Sequence, residues 1–250
     1  GWRIEIDKYP LLTEIGAWRK GLDGKPYGGY YSKEDIKEIV EYARKRNIEV
    51  IPEIELPGHS VAAIASYPQF SCTGEKIEVE TDWGVFKDIY CAGNDSVFTF
   101  LENILDEVID LFPSKYIHIG GDEAPKFRWK NCNKCQKRIV ENNLKDENEL
   151  QSYFINKIGK YLEKNNKQLI GWDEIMEGGI PKNAIVQSWR GMAGGKLAAE
   201  NSHYAIMSPT SHCYFDYDLQ SIDLEKVYSF DPIPIDLEKN KHNFILGGEC

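Results

Sequence analysis

Apolar positions along this chain alternate between two periods. After Ser32, which forms a capping pattern with Asp35, the residues Ile36, Ile39, Val40 and Ala43 recur at helical spacing. The β-branched run Ile48-Glu49-Val50-Ile51 then predicts a strand ending at Pro52. Residues 68–95, with their Pro, Gly, Cys and Asp, predict a long loop. Asp95 is expected to cap a second helix carrying Phe98, Leu101, Leu105, Val108 and Ile109. A second strand is predicted over 116–119, with helices over 133–142 and 148–164. Further strands are expected at 169–170, 184–187, 203–207 and 244–246, with short helices at 196–200 and near 224–227. That makes six strands, most followed by a helix. They are short and read as apolar on both faces, the pattern of buried parallel strands joined by right-handed crossovers. With no repeat, low-complexity tract or linker, residues 1–250 read as one domain segment.

Polar and aromatic residues collect just after the predicted strands. They are Glu53, Glu55 and His59; then Asp122 and Glu123; then Trp172, Asp173 and Glu174; then Trp189 and Arg190; then His212, Tyr214 and Asp216; and finally Glu249. An open doubly wound sheet binds ligands only near its switch point, whereas a (β/α) barrel builds its site from all its strand ends. The distribution favours the barrel. No G-x-G-x-x-G or Walker sequence follows a strand, so no nucleotide cofactor is indicated.

Charge narrows the partners. With 40 acidic against 30 basic residues, the net charge is -10. No basic stripe suits nucleic acid, and an anionic membrane surface is disfavoured. No apolar run approaches the roughly 20 residues of a membrane span. The 6 Trp and 14 Tyr hint at a site that stacks flat ligands or sugar faces, with core packing as the other account of them. The chain starts at Gly1 without a leader, as expected of a processed chain or fragment. Six cysteines are too sparse for a disulfide scaffold. Cys132 and Cys135 form a C-x-x-C with no second pair and no nearby His, which falls short of the four ligands zinc needs, so no metal is expected. Either a local disulfide or two helix-start thiols would account for it. Cys72 and Cys91 flank the long loop and could be bridged in an oxidising compartment.

The densest chemistry is His118-Ile119-Gly120-Gly121-Asp122-Glu123. Neighbouring strand residues point to opposite faces, yet two glycines permit a bend that turns both carboxylates to one mouth. Close carboxylates push one pKa upward, leaving an acid beside an ionised partner. Alternatively the pair caps a helix beyond Pro125. Glu53 and Glu55 share a strand face. With His59 they could bind a metal, although a His beside Pro-Gly is more often a hydrogen-bonded support. Trp172, Trp189 and Tyr214 could form an aromatic box or plug the core, and Asp216 could bind sugar hydroxyls or cap a turn. No G-x-S-x-G elbow supports a Ser-His-Asp hydrolase.

With these residues in view, the chain resembles the catalytic barrel of family 20 glycoside hydrolases, the β-N-acetylhexosaminidases. The resemblance runs through GWRIEIDKYPLLTEIGAW, IPEIELPGHS, HIGGDEAPK, LIGWDEI, IVQSWRG, Tyr214-Phe215-Asp216, VYSFDPIP and ILGGE. It implies a (β/α)8 TIM barrel, here about six of eight strands with the first two missing, truncated at both ends. It also implies release of terminal non-reducing β-linked N-acetylglucosamine or N-acetylgalactosamine by a retaining mechanism in which the substrate's own acetamido group attacks, giving an oxazolinium ion. Glu123 would be the acid, Asp122 would hold the acetamido N–H, and Tyr214 would bind its oxygen. Trp172 and Trp189 would pack the group, and Asp216 would bind a hydroxyl. His59 and Glu55 would support the acids. No cofactor or metal is implied, and the partner is a carbohydrate. A periplasmic, extracellular or lysosome-like location is the family expectation, and the 250-residue piece alone is expected to be inactive or weak. The alternatives are a non-catalytic sugar-binding barrel and a retaining glycosidase with a protein nucleophile such as Glu174.

Overall fold

A computed structural model describes residues 1–218 and 220–250. The chain opens with a short helix α1 (Leu11–Glu14) and an antiparallel hairpin, β1 (Trp18–Lys20) and β2 (Pro26–Gly28). Strands of three exposed residues carry no readable period, so this hairpin went unforeseen. Arg3 braces it, donating from Nη1 to the carbonyls of Ala17 at 2.8 Å and Gly29 at 2.7 Å.

Helix α2 (Lys33–Arg44) begins where the capping pattern predicts: Ser32 accepts from the Asp35 N–H, and the Asp35 side chain accepts from the Ser32 N–H. The first strand of the main sheet is displaced from expectation. It is β3 (Glu53–Leu56), not residues 48–51. Its neighbour β4 (Tyr116–Gly120) sets Glu53 opposite His118, and the His118 N–H donates to Pro52 O at 2.9 Å, so pairing begins at the proline. Glu53 and Glu55 therefore belong to the strand itself. Helix α3 (Val61–Ser66) follows, then the predicted long loop. Helix α4 (Asp95–Leu111) is capped by Asn94, which accepts from the Ser96 N–H at 3.1 Å. Asp95, expected to be the cap, is the first helical residue and pairs with Arg138 at 2.7 Å.

After β4 come α5 (Phe127–Lys130), α6 (Asn133–Glu141) and α7 (Glu147–Lys164), then β5 (Gln168–Trp172) and β6 (Ile185–Ser188). The chain continues through α8 (Ala193–Glu200), β7 (Ala205–Met207), α9 (Thr210–Cys213), α10 (Leu224–Tyr228) and β8 (Ile245–Gly248). The six strands β3 to β8 form one parallel sheet in sequence order. No described helix is long and apolar enough to cross a membrane.

The sheet's faces differ, which corrects the expectation of strands apolar on both sides. One face carries Ile54, Leu56, Ile117, Ile119, Leu169, Val186, Ala205 and Met207, buried against helices in the hydrophobic core. The other carries Glu53, His118, Ile170, Trp172, Gln187 and Ile206, which line a cavity of about 530 Å³ along the sheet. The parallel register sets His118 beside Ile170 and Trp172 beside Gln187, so these side chains form rows across neighbouring strands.

The core reaches the N-terminal segment through an aromatic cluster. Phe100 of α4 stacks on Phe70 at 4.1 Å between centroids and meets Tyr9 edge-on at 4.5 Å. Phe100 is 1% exposed, so its truncation leaves a cavity that several elements must bridge. Phe100→Ala is expected to lower unfolding free energy by about 3–5 kcal/mol in urea titrations.

Candidate active site

The site is built at the C-terminal ends of the strands. At the end of β4 the backbone turns sharply: Gly120 has φ +67° and Gly121 +95°. A Cβ on Gly120 would lie 1.9 Å from Glu55 Oε1, and one on Gly121 would lie 2.5 Å from Ile175 Cγ2. Only glycine lets the strand end fold onto Glu55 in this way. The Gly121 N–H donates to Glu55 Oε1 at 3.1 Å. Glu123 follows at φ 42°, with His59 at φ 44° across from it.

This turn brings the acids together. Asp122 Oδ2 lies 3.4 Å and Glu123 Oε2 3.3 Å from the same atom, His59 Nε2. The hydrogen bond to Asp122 raises the His59 pKa against the opposing effect of burial, and both carboxylates add to the rise. Asp122 is turned inward, with Oδ1 buried and without a hydrogen-bond partner among the described residues. Glu123 is half-buried and lines a shallower hollow with Lys126, Glu174 and Arg190. Neither acid caps α5, whose first turn begins after Lys126.

The raised carboxyl pKa expected here falls on Glu55 and Glu174. Burial, then the charges of Asp122 and Glu53, push Glu55 well above the usual range. Glu174 is pushed up to about 7, chiefly by burial. Its oxygens are engaged: Oε2 accepts from the Trp189 indole N–H at 2.9 Å, and Oε1 lies 3.7 Å from Arg190 Nε. Arg190 also holds Asp173 at 2.6 Å and Glu177 at 3.1 Å.

The aromatics divide. Trp189 and Tyr214 stack at 6.4 Å between centroids and 27° between planes. Trp172 instead meets His118 edge-on at 5.1 Å, deeper in the sheet cavity. Burial pushes the Tyr214 hydroxyl up to about 12, helped by the charges of Glu249 and Asp122. Tyr214 thus shares its electrostatic surroundings with the Asp122 side of the site. Glu249, near the end of β8, accepts from the Gln187 amide at 2.8 Å. Asp216 is exposed and has no hydrogen bond or ion pair among the described residues.

The set Glu53, Glu55 and His59 does not converge on a metal. Glu53 Oε1 lies 3.0 Å from His118 Nδ1, while Glu55 faces Gly121. The cysteines behave differently from their sequence reading. Cys72, Cys91, Cys132 and Cys135 are unbridged, and their sulfurs lie within 4.8 Å of one another in a single cluster. Sequence reasoning also passed over Lys126. It is half-buried, and desolvation lowers its pKa to about 8 against the opposing charges of Glu177 and Glu174; it donates to Ala124 O at 2.9 Å. Its only signal was its place at the end of HIGGDEAPK.

Comparison with known proteins gives concordant matches. The model for "Glycosyl hydrolase family 20, catalytic domain" matches residues 1–250. A β-hexosaminidase of Porphyromonas gingivalis strain W83 is 50% identical over 261 residues, covering 100% of this chain and 34% of the relative. The crystal structure of β-N-acetylhexosaminidase from Bacteroides fragilis NCTC 9343 aligns with TM-score 0.81 and 35% identity, over 100% of this chain and 52% of that one. An exo-β-N-acetylglucosaminidase from Vibrio harveyi, solved in complex with N-acetylglucosamine, aligns with TM-score 0.87 and 28% identity, over 100% and 43%. The chain thus spans about a third to a half of the proteins it matches.

Gly120→Ala is expected to cost about 2 kcal/mol or more in chemical unfolding, through the left-handed backbone and the Glu55 contact. Glu174 binds its proton more tightly folded than unfolded. Its contribution to stability is therefore full below the ordinary glutamate range and declines as pH rises from about 4.5 to about 7. Melting temperature followed across that window should fall less steeply in Glu174→Gln than in the parent.

Proposed function

The chain belongs to glycosyl hydrolase family 20, and from that membership we propose that the protein carrying it is a β-N-acetylhexosaminidase. It removes terminal non-reducing β-linked N-acetylglucosamine or N-acetylgalactosamine by substrate-assisted, retaining hydrolysis. The six parallel strands fit a (β/α)8 barrel whose other two strands would lie between β8 and β3. Turnover by the 250-residue chain alone is expected to be weak or absent.

The observation that carries the reading is Asp122. One oxygen is held by His59, while the other is a buried acceptor without a partner. Such an acceptor is costly unless a ligand supplies a donor, and a 2-acetamido N–H is a donor of the right kind. Bound there, the amide presents its oxygen to the anomeric carbon. The new C–O bond forms as the bond to the leaving group breaks, and Glu123 gives its proton to the departing oxygen. Glu123 then takes a proton from the water that opens the oxazolinium ring, so configuration is retained and the acid is restored. An attached, oriented nucleophile gains an entropic advantage of up to about 7–11 kcal/mol.

Other side chains have roles that their surroundings support. Tyr214, with its pKa raised to about 12, keeps its proton and can donate to the acetamido oxygen. The stacked Trp189 and Tyr214 offer a wall for the acetamido methyl, and Trp172 an apolar surface deeper in the cavity. His59 ties both acids to one hinge point, and Glu55 fixes the turn that carries them. Asp216, exposed beyond α9, would bind a sugar hydroxyl. A nucleophilic role for Glu174 is disfavoured, because the Trp189 N–H and the Arg190 side chain already occupy it.

With an aryl N-acetylglucosaminide and the whole protein, Glu123→Gln is expected to lose about 10²–10⁴-fold in kcat. Wild-type protein should discriminate strongly against the same glycoside lacking its acetamido group. Equal rates on the two substrates would contradict substrate assistance.

A further inference from the structure

We propose that Cys72, Cys91, Cys132 and Cys135 hold a structural zinc ion that clips the loop after β3 to the segment after β4. Sequence distance hides this cluster: 18 residues separate Cys72 from Cys91, and 40 separate Cys91 from Cys132. Folding removes both gaps. A bridge between Ser71 and Tyr90 closes the long loop at its base, and the Cys91 N–H donates to Phe70 O at 2.9 Å, so Cys72 and Cys91 emerge side by side. The C-x-x-C turn at the start of α6 meets them. Gly93 makes the approach possible, since a Cβ there would lie 2.2 Å from the carbonyl carbon of Lys134.

The spacing is that of a metal site. Sγ–Sγ distances are 3.8 Å for Cys72–Cys135, 3.8 Å for Cys91–Cys132 and 3.7 Å for Cys91–Cys135. A disulfide needs about 2.05 Å. Four thiolates on a tetrahedron with Zn–S bonds of about 2.3 Å sit about 3.8 Å apart along each edge. The sulfurs are too close together to enclose a multi-iron cluster. An all-sulfur donor set excludes magnesium and calcium, which take oxygen ligands. Zinc rather than a single iron suits a hydrolytic family, whose chemistry moves no electrons.

Charge and burial agree with this assignment. Cys91 and Cys135 are wholly buried, Cys132 nearly so and Cys72 partly, and four thiolates would fill a tetrahedral coordination shell, the mark of a structural rather than catalytic site. Binding releases four thiol protons and leaves a net charge of −2 on the metal and its ligands. Arg128, Lys130, Lys134, Lys137 and Arg138 surround the C-x-x-C in sequence, and Cys132 and Cys135 occupy the positive end of α6.

The clip joins segments that carry the site. Cys72 lies 13 residues beyond His59, and Cys132 lies 9 beyond Glu123. The same two segments share the Trp129 N–H to Tyr90 O bond at 2.9 Å and the Arg128–Asp88 pair at 3.0 Å. A metal at this seam would hold His59 and Glu123 in fixed relation. The inference does not rest on the proposed hydrolysis, because metal content reads it directly.

The test is elemental analysis of the whole protein, grown with both zinc and iron and purified without a metal column. Stepwise p-hydroxymercuribenzoate titration of the native protein accompanies it, with a zinc indicator. The expected result is about one zinc per chain released as four thiols react, and one equivalent fewer in Cys91→Ser than in the parent. Cobalt substitution should give intense thiolate-to-metal absorption. Iron in place of zinc, two disulfides, four metal-free thiols, or no zinc released with the thiols would overturn the proposal. The wild-type titration decides the matter if Cys91→Ser fails to fold.

Discussion

The contact between the Glu55 carboxyl and the backbone at Gly120 and Gly121 governs this site. A buried carboxyl has few ways to be satisfied, and here the Gly121 N–H supplies one. To reach it, the end of β4 must come so near that no side chain fits at position 120. The strand therefore leaves the sheet in a left-handed turn, and the next two residues, which on a continuing strand would point apart, both reach the ring nitrogen of His59. Removing either partner, the carboxyl or the glycines, would remove the reason for the turn.

The two faces of the sheet explain how a stable body tolerates such a polar centre. Apolar residues on one face are sealed under helices and supply the cohesion. The opposite face is then free to carry Glu53, His118 and Gln187, of which Glu53 lies 3.0 Å from His118 on the next strand and Gln187 donates to Ser208. Glu174 belongs to the same economy of satisfied groups, with Trp189 and Arg190 occupying its oxygens.

Much of this was legible in the chain. The alternation of elements, the capping box at Ser32 and the strand-end carboxylates are local features, and local features survive into sequence. The Gly-Gly before Asp122 announced a bend because glycine has few other uses there. What failed was whatever depends on a distant partner. The start of β3 is set by its pairing with His118 of β4, not by the Ile48–Ile51 run. The helix cap at Asn94 lies one residue from its predicted place, and Asp95 instead pairs with Arg138, 43 residues away. The split between Trp172 and the Trp189–Tyr214 pair follows from sheet register, which composition does not encode. The four cysteines read as two unrelated pairs because the bridge that joins them closes only in three dimensions.

The order of the sheet also bears on how the molecule is made. Neighbours in the six-stranded sheet are successive strands of the chain, so a strand can dock as soon as the one after it has been made. A polypeptide leaving the ribosome can add one strand-and-helix unit at a time to a growing edge, N-terminal units first. The acid pair just beyond β4 is then made before β5 to β8 and the segments after them, which bear Trp172, Trp189 and Tyr214.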